Sequence, residues 1–150
     1  MEFTKCKVCR VNRIVEPVYE TVYWRVNLAD DQKLLGRCYV SLKRHCESLS
    51  EVKTAEWADL IKVIRKMEST LKKCFGPTMF NWNCYMNDAY RATSPYPHVN
   101  WHLTPRYDHK VSFGGMTFND KDFGRAAGKK KIIASEELLG KISKKIKSSV

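Results

Sequence analysis

His98, Asn100 and His102 stand at i, i+2 and i+4 in the string P-H-V-N-W-H-L-T-P-R that runs from Pro97 to Arg106. Val99, Trp101 and Leu103 fill the alternate positions, which is the period of a β-strand with one polar and one apolar face. Two imidazoles and one carboxamide then share a pleat face, and Pro105 is expected to cut the ladder after them. Such a platform suits a metal, an anion, or an acyl or phosphoryl centre. A second reactive group comes earlier. Cys6 and Cys9 form a C-x-x-C pair too near the N-terminus to belong to a thioredoxin-like strand and helix unit. Two thiolates at this spacing chelate one zinc when two more nitrogen or sulfur ligands come from elsewhere. Metal ligation is the better reading of the pair, although a lone C-x-x-C is often no site at all.

The elements that must hold these residues are legible from periodicity. Val18 to Asn27 is rich in β-branched and aromatic residues, Asp30-Asp31-Gln32 reads as a turn, and Gly36 to Leu42 supplies the second strand of a hairpin. Thr54 to Phe75 is the clearest helix. Trp57, Leu60, Ile61, Ile64, Met67, Leu71, Cys74 and Phe75 recur at helical spacing as its core stripe, with Thr54 as N-cap and Gly76-Pro77 as the stop. Thr78 to Met86 suggests a third strand, followed by a polar, proline-stiffened loop that delivers the chain to Pro97. Gly114-Gly115 and Asn119-Asp120-Lys121-Asp122 read as turns, and His109 as a surface residue. Ser135 to Ser148 is a short basic amphipathic helix capped by Ser135, with Leu138, Leu139, Ile142 and Ile146 on one side.

A chain of 150 residues with 43% hydrophobic content suits one domain over residues 1–150 with a real core. No apolar run approaches the roughly 20 residues of a membrane span. Met1 to Cys6 lacks the apolar core of a signal peptide, so the expected compartment is cytoplasmic, where free thiols and metal ligation suit six cysteines better than disulfides. The formal charge of +11 favours polyanionic partners. Eight Lys or Arg against two Glu in the basic segment 125–150 give a local +6, read first as the solvated face of a terminal helix.

The His98-x-Asn100-x-His102 strand resembles the signature of the histidine-triad (HIT) superfamily, in which His-apolar-His-apolar-His is often followed by Pro-Arg. The string from Gly36 to His45 is similar to the strand that HIT proteins write as G-H-x-L-V-I-P-K-x-H. Without that likeness, His45 reads as a surface histidine. The resemblance covers about residues 5–107 and implies an α+β fold, an antiparallel sheet with one long packed helix, to which the short terminal helix is added, and a homodimer. It implies a structural zinc on Cys6, Cys9, His45 and His98, the ligand combination of its zinc-bearing branches. It also implies a nucleotide or dinucleoside polyphosphate ligand, or a nucleoside phosphoramidate, contacted at phosphate by Asn87, Ser94, Asn100 and His102.

In that family the middle histidine attacks phosphorus, and this chain has Asn100 there. A carboxamide has no basic nitrogen near neutral pH and offers hydrogen bonds only. The resemblance therefore implies binding by Asn100 and His102 with weak or no hydrolase or nucleotidyl transferase turnover. Asn100 is either the residue of a binding member or a replacement of the nucleophile that traps a ligand. A second class of function is a zinc-stabilised basic module that binds nucleic acid without catalysis, through the C-terminal lysines and Tyr90, Tyr96 and Tyr107.

Overall fold

The computed structural model describes residues 5–150. The N-terminal stretch judged for a signal peptide lies, in its first four residues, outside the described residues. Five strands, Tyr19–Glu20 (β1), Trp24–Leu28 (β2), Cys38–Leu42 (β3), Met79–Cys84 (β4) and Asn100–Arg106 (β5), form an antiparallel sheet in the order β1-β2-β3-β5-β4. The hairpin joining β2 and β3 has Arg25 opposite Ser41 and Asn27 opposite Tyr39. In the next pairing Ser41 faces Asn100 and Tyr39 faces His102. Residues directly opposite each other project to the same face. Two rows thus cross the sheet on one side, Arg25-Ser41-Asn100 and Asn27-Tyr39-His102, and Asn83 of β4 extends the second.

The opposite face carries the core. The long helix Thr54–Phe75 (α2) buries Leu60, Val63, Met67 and Leu71 in one cluster with Trp24, Val26, Val40, Leu42, Val99 and Leu103 of the sheet. Gly76 ends it in the left-handed region at φ 65°, where a side chain would be strained. Its bounds match the sequence reading, but its N-cap is Lys53 and not Thr54. Thr54 is the first helical residue, and the carboxylate of Glu56 reaches back to accept the Lys53 N–H at 2.8 Å. The core stripe is also narrower than expected, because Trp57 and Ile61 remain 37% and 50% exposed on the flank of the helix.

Pro105 does not cut the triad strand, which continues to Arg106. Leu42 donates to the Val99 carbonyl and Thr78 to that of Arg106, so odd residues of β5 address β3 and even ones address β4. The pairing with β3 ends at Leu103, leaving the missing N–H of Pro105 with no ladder partner to abandon. Beyond β5, Val111–Phe113 (β6) and Met116–Phe118 (β7) form a separate hairpin around Gly114-Gly115. The terminal helix Glu136–Lys147 (α3) starts where Ser135 Oγ accepts the Leu138 N–H at 3.2 Å, and it buries Leu138, Ile142 and Ile146. A further helix, Lys7–Ile14 (α1), was not anticipated from the sequence. Among the described residues, no helix is long and apolar enough to cross a membrane.

Candidate metal centre and anion site

Cys6 caps α1, its sulfur accepting the Cys9 N–H at 3.4 Å, so the first turn of that helix brings both thiols to one side. His45 follows the end of β3 and His98 precedes β5, and the antiparallel pairing of these strands sets the two imidazoles beside the thiols. One donor atom from each of Cys6, Cys9, His45 and His98 lies within 4.8 Å of the others. His98 Nδ1 stands 3.3 Å from Cys6 Sγ and 3.4 Å from Cys9 Sγ, while His45 Nδ1 stands 3.6 Å from Cys9 Sγ. Both rings present the same nitrogen inward, and their outer nitrogens are held. His98 Nε2 donates to the Leu42 carbonyl at 2.8 Å, which leaves Nδ1 as the lone-pair side, and His45 Nε2 lies 3.3 Å from Glu47 Oε1. Two thiolates and two oriented imidazoles fit a closed tetrahedral zinc site.

The chemistry of the donors supports that fit. Burial, followed by the neighbouring Cys6 thiol, pushes the Cys9 thiol up to about 12, and burial holds His98 down to about 4. A neutral imidazole is the form that ligates, and a divalent cation is what would stabilise paired thiolates in this buried place.

Asn12, one turn beyond Cys9, was missed in the sequence. It is buried and ties α1 to the polar face of the sheet, accepting from Ser41 Oγ at 2.8 Å and from Asn27 Nδ2 at 3.2 Å. The cluster of thiols and imidazoles is thereby clamped to both polar rows.

The other half of the His98-Asn100-His102 motif turns to a different surface. Asn100 Nδ2 donates to the His98 carbonyl at 2.8 Å, which fixes its amide. Arg37, a residue the sequence reading did not single out, places Nη2 3.3 Å from His102 Nδ1. A guanidinium only donates, so Nδ1 accepts and the proton of the neutral ring sits on Nε2. Tyr39 and Tyr85 contact the same ring edge-on. Burial holds His102 below its ordinary value, and the charges of Arg37 and Lys131 act in the same sense. The Tyr85 backbone and the Asp88 carboxylate act against them. Asn27 Oδ1 and Arg37 Nε, both beside the His102 row, are buried without a hydrogen-bond partner. Orphaned polar atoms of this kind mark where a ligand or water belongs.

Asn87 opens a 3-10 turn, Asn87–Arg91, next to Asp88 and so borders the His102 surface. Ser94 lies exposed in the loop before Pro97, apart from the Asn100 and His102 contacts described above. Of the three tyrosines offered as stacking platforms, Tyr107 is excluded because it is 2% exposed and donates to the Leu35 carbonyl at 2.7 Å. Tyr96 stacks on His45 at 4.6 Å between ring centroids, and Tyr90 is exposed. His109 is at the surface beside Asp108.

The HIT domain model matches residues 16–109, well over half of the chain. The chain belongs to the HIT domain family. An uncharacterized HIT-like protein of Methanocaldococcus jannaschii is 28% identical over 120 residues, covering 78% of this chain and 91% of that one. The crystal structure of a hypothetical histidine triad nucleotide-binding protein from Sulfolobus tokodaii superposes with a TM-score of 0.71 at 20% identity, over 96% of this HIT chain and 91% of that chain. A zinc-bound histidine triad family protein from Mycobacterium smegmatis gives 0.63 at 16% identity, over 97% and 95%. The family model takes in the sheet, α2 and the Asn100-His102 strand, and it leaves α1, with Cys6 and Cys9, and everything after residue 109 outside its match, whereas the superpositions run over 96–97% of the chain.

Proposed function

We propose that this chain is a nucleotide-binding HIT protein of the nucleoside-phosphate hydrolase or nucleotidyl transferase type, in which Asn100 at the nucleophile position leaves weak turnover or none. The observation that carries the reading is the Arg37 to His102 contact beside the fixed amide of Asn100. A neutral imidazole with its proton on Nε2, a nearby guanidinium and an amide make a hydrogen-bonding cradle for a phosphate. Asn87, beside the Asp88 that acts on His102, can supply a further polar contact at its border. The nucleotide-binding protein among the structural relatives supports the ligand class.

Asn100 cannot take up phosphorus as an imidazole does, because its nitrogen lone pair is delocalised into the carbonyl. A nucleoside polyphosphate or phosphoramidate is therefore held and oriented, and the covalent step is missing. Zinc on Cys6, Cys9, His45 and His98 is structural, since four protein ligands leave no open position. The chain pairs as a homodimer along β4, the edge strand whose outer side has no neighbour among the described residues, with exposed Trp57 and Ile61 flanking it.

The test has two arms. AMP or GMP should raise the melting temperature, while an oligonucleotide binds weakly and loses affinity steeply with salt; stabilisation by oligonucleotide alone would sink the proposal. Asn100→His should gain hydrolysis of a diadenosine polyphosphate or an adenosine phosphoramidate over the parent chain. No gain across a panel of such substrates would remove the nucleophile assignment.

A further inference from the structure

Lys129, Lys130 and Lys131, which the sequence alone presents as part of a solvated basic tail, belong to a span held at both ends. At one end the Asp122 carboxylate accepts the Gly128 N–H at 2.9 Å and stands 3.3 Å from Lys33 Nζ, which also donates to the Gly128 carbonyl at 3.3 Å. The packing is close: a Cβ on Gly128 would lie 2.7 Å from Asp122 Oδ2 and 2.9 Å from Lys33 Nζ. At the other end Ile132 N–H donates to Asp31 Oδ1 at 3.0 Å, Gln32 N–H to the Ile132 carbonyl at 2.9 Å, and Ala134 N–H to the Asp30 carbonyl at 2.9 Å.

Asp31 also forms the ion pair with Arg37, and Arg37 touches His102. The lysine span is thus bolted to the same aspartate that orients the guanidinium of the candidate site. Lys131 lies within electrostatic reach of the His102 ring. All three lysines are exposed, and none has an ion-pair partner among the described residues. A preorganised run of unpaired ammonium groups loses little conformational freedom on binding an anion, unlike a free tail. Arg37 adds a buried Nε–H with no partner. Asp88 is the opposing charge near the ring, and Asp31 is already neutralised by its pair with Arg37.

We infer that the pinned Lys129 to Lys131 span, next to Arg37, forms a second, cationic subsite, which takes the phosphates of a polyphosphate chain beyond the one held at Arg37, Asn100 and His102. The inference rests on the nucleotide reading above and narrows it. The leaving side of the ligand carries further phosphate, so ligands with an uncharged leaving group or a single phosphate bind less well. These residues select among ligands; they are not catalytic. Lys129 to Lys131 lie after the segment matched by the HIT domain model, so the selectivity comes from residues beyond the Asn100-His102 strand.

Calorimetric titration of the full chain with AMP, ADP and ATP tests this, alongside a variant with Lys129, Lys130 and Lys131 all changed to Gln. ATP should bind about tenfold or more tighter than AMP, with an advantage that shrinks as salt rises. The triple variant should cut that advantage to about twofold, weakening ATP far more than AMP, while the melting temperature stays unchanged. Equal binding of AMP and ATP by the parent, or an advantage that survives the triple change, overturns the subsite and leaves the nucleotide reading standing. Absence of binding by all three nucleotides overturns both. A lysine-dependent gain seen only with a single-stranded oligonucleotide, and not with ATP, also overturns it.

Discussion

Arg37 Nη2 stands 3.3 Å from His102 Nδ1, and because the guanidinium has no lone pair to offer, this one contact fixes which ring nitrogen of His102 carries the proton. Burial, then the charge of Arg37, depresses the ring below its ordinary 6.5. Arg37→Gln should therefore raise the His102 value, read by NMR titration of the ring. The sign for stability follows. A histidine whose folded value is depressed contributes stability that is full above 6.5 and is lost as pH falls toward the folded value, because the unfolded chain takes the proton first. The parent should lose melting temperature on acidification through that window more steeply than the Arg37→Gln chain does. Identical slopes would mean that Arg37 leaves the ring alone.

Metal content is the second prediction. Elemental analysis should find about one zinc per chain, and Cys9→Ala should lower it together with the melting temperature. Two thiols must lose protons to ligate, so zinc affinity should rise with pH and chelators should strip the metal faster in mild acid. A chain purified from zinc-containing medium without metal, yet fully folded, would remove the site.

Association is the third. Sedimentation should report a species of two chains, and Trp57→Glu with Ile61→Glu should return it to one, since a charge on that flank would be desolvated by the partner. Both side chains are largely in solvent, so the folded subunit should keep its circular dichroism. A parent that sediments as a single chain at micromolar concentration would rule out the proposed pairing.

Arg106 supplies the fourth. Its five N–H groups make five hydrogen bonds: two to Asp120 at 2.6 and 3.1 Å, one to Asn81 Oδ1 at 2.8 Å, and one each to the Asp122 and Arg125 carbonyls at 2.7 Å. The pair is buried, with Arg106 only 1% exposed. Asp120→Ala should destabilise by about 3–5 kcal/mol, the range for stranding one partner of a buried ion pair, as measured by chemical denaturation. A loss under about 1 kcal/mol would show that the guanidinium finds water instead.

Much of this arrangement is legible in the sequence, for identifiable reasons. The helix Thr54–Phe75 has residue-for-residue boundaries because a strong apolar period and Gly76-Pro77 agree. The Cys6, Cys9, His45 and His98 gathering follows from a resemblance that spans the fold, not from local pattern. Short α1 escapes because eight residues carry two turns and little intrinsic helicity; its place depends on Asn12 and the thiols. Trp57 and Ile61 share the helical stripe in sequence, yet periodicity says nothing of how wide a sheet lies beneath. Pro105 looked like a terminator because the end of β3 at the neighbouring edge is a tertiary fact. For Arg37 the signal was present, as the residue following Gly36 in a recognisable strand. The pairing of Ile132 and Ile133 with Asp31 had none, since it joins residues about a hundred positions apart.

The two pieces that cover the polar face, α1 with Asn12 at one end and the lysine span at the other, both fall outside residues 16–109. A fragment cut at those limits would keep Asn100 and His102 but lose two of the four candidate metal ligands and the basic span together.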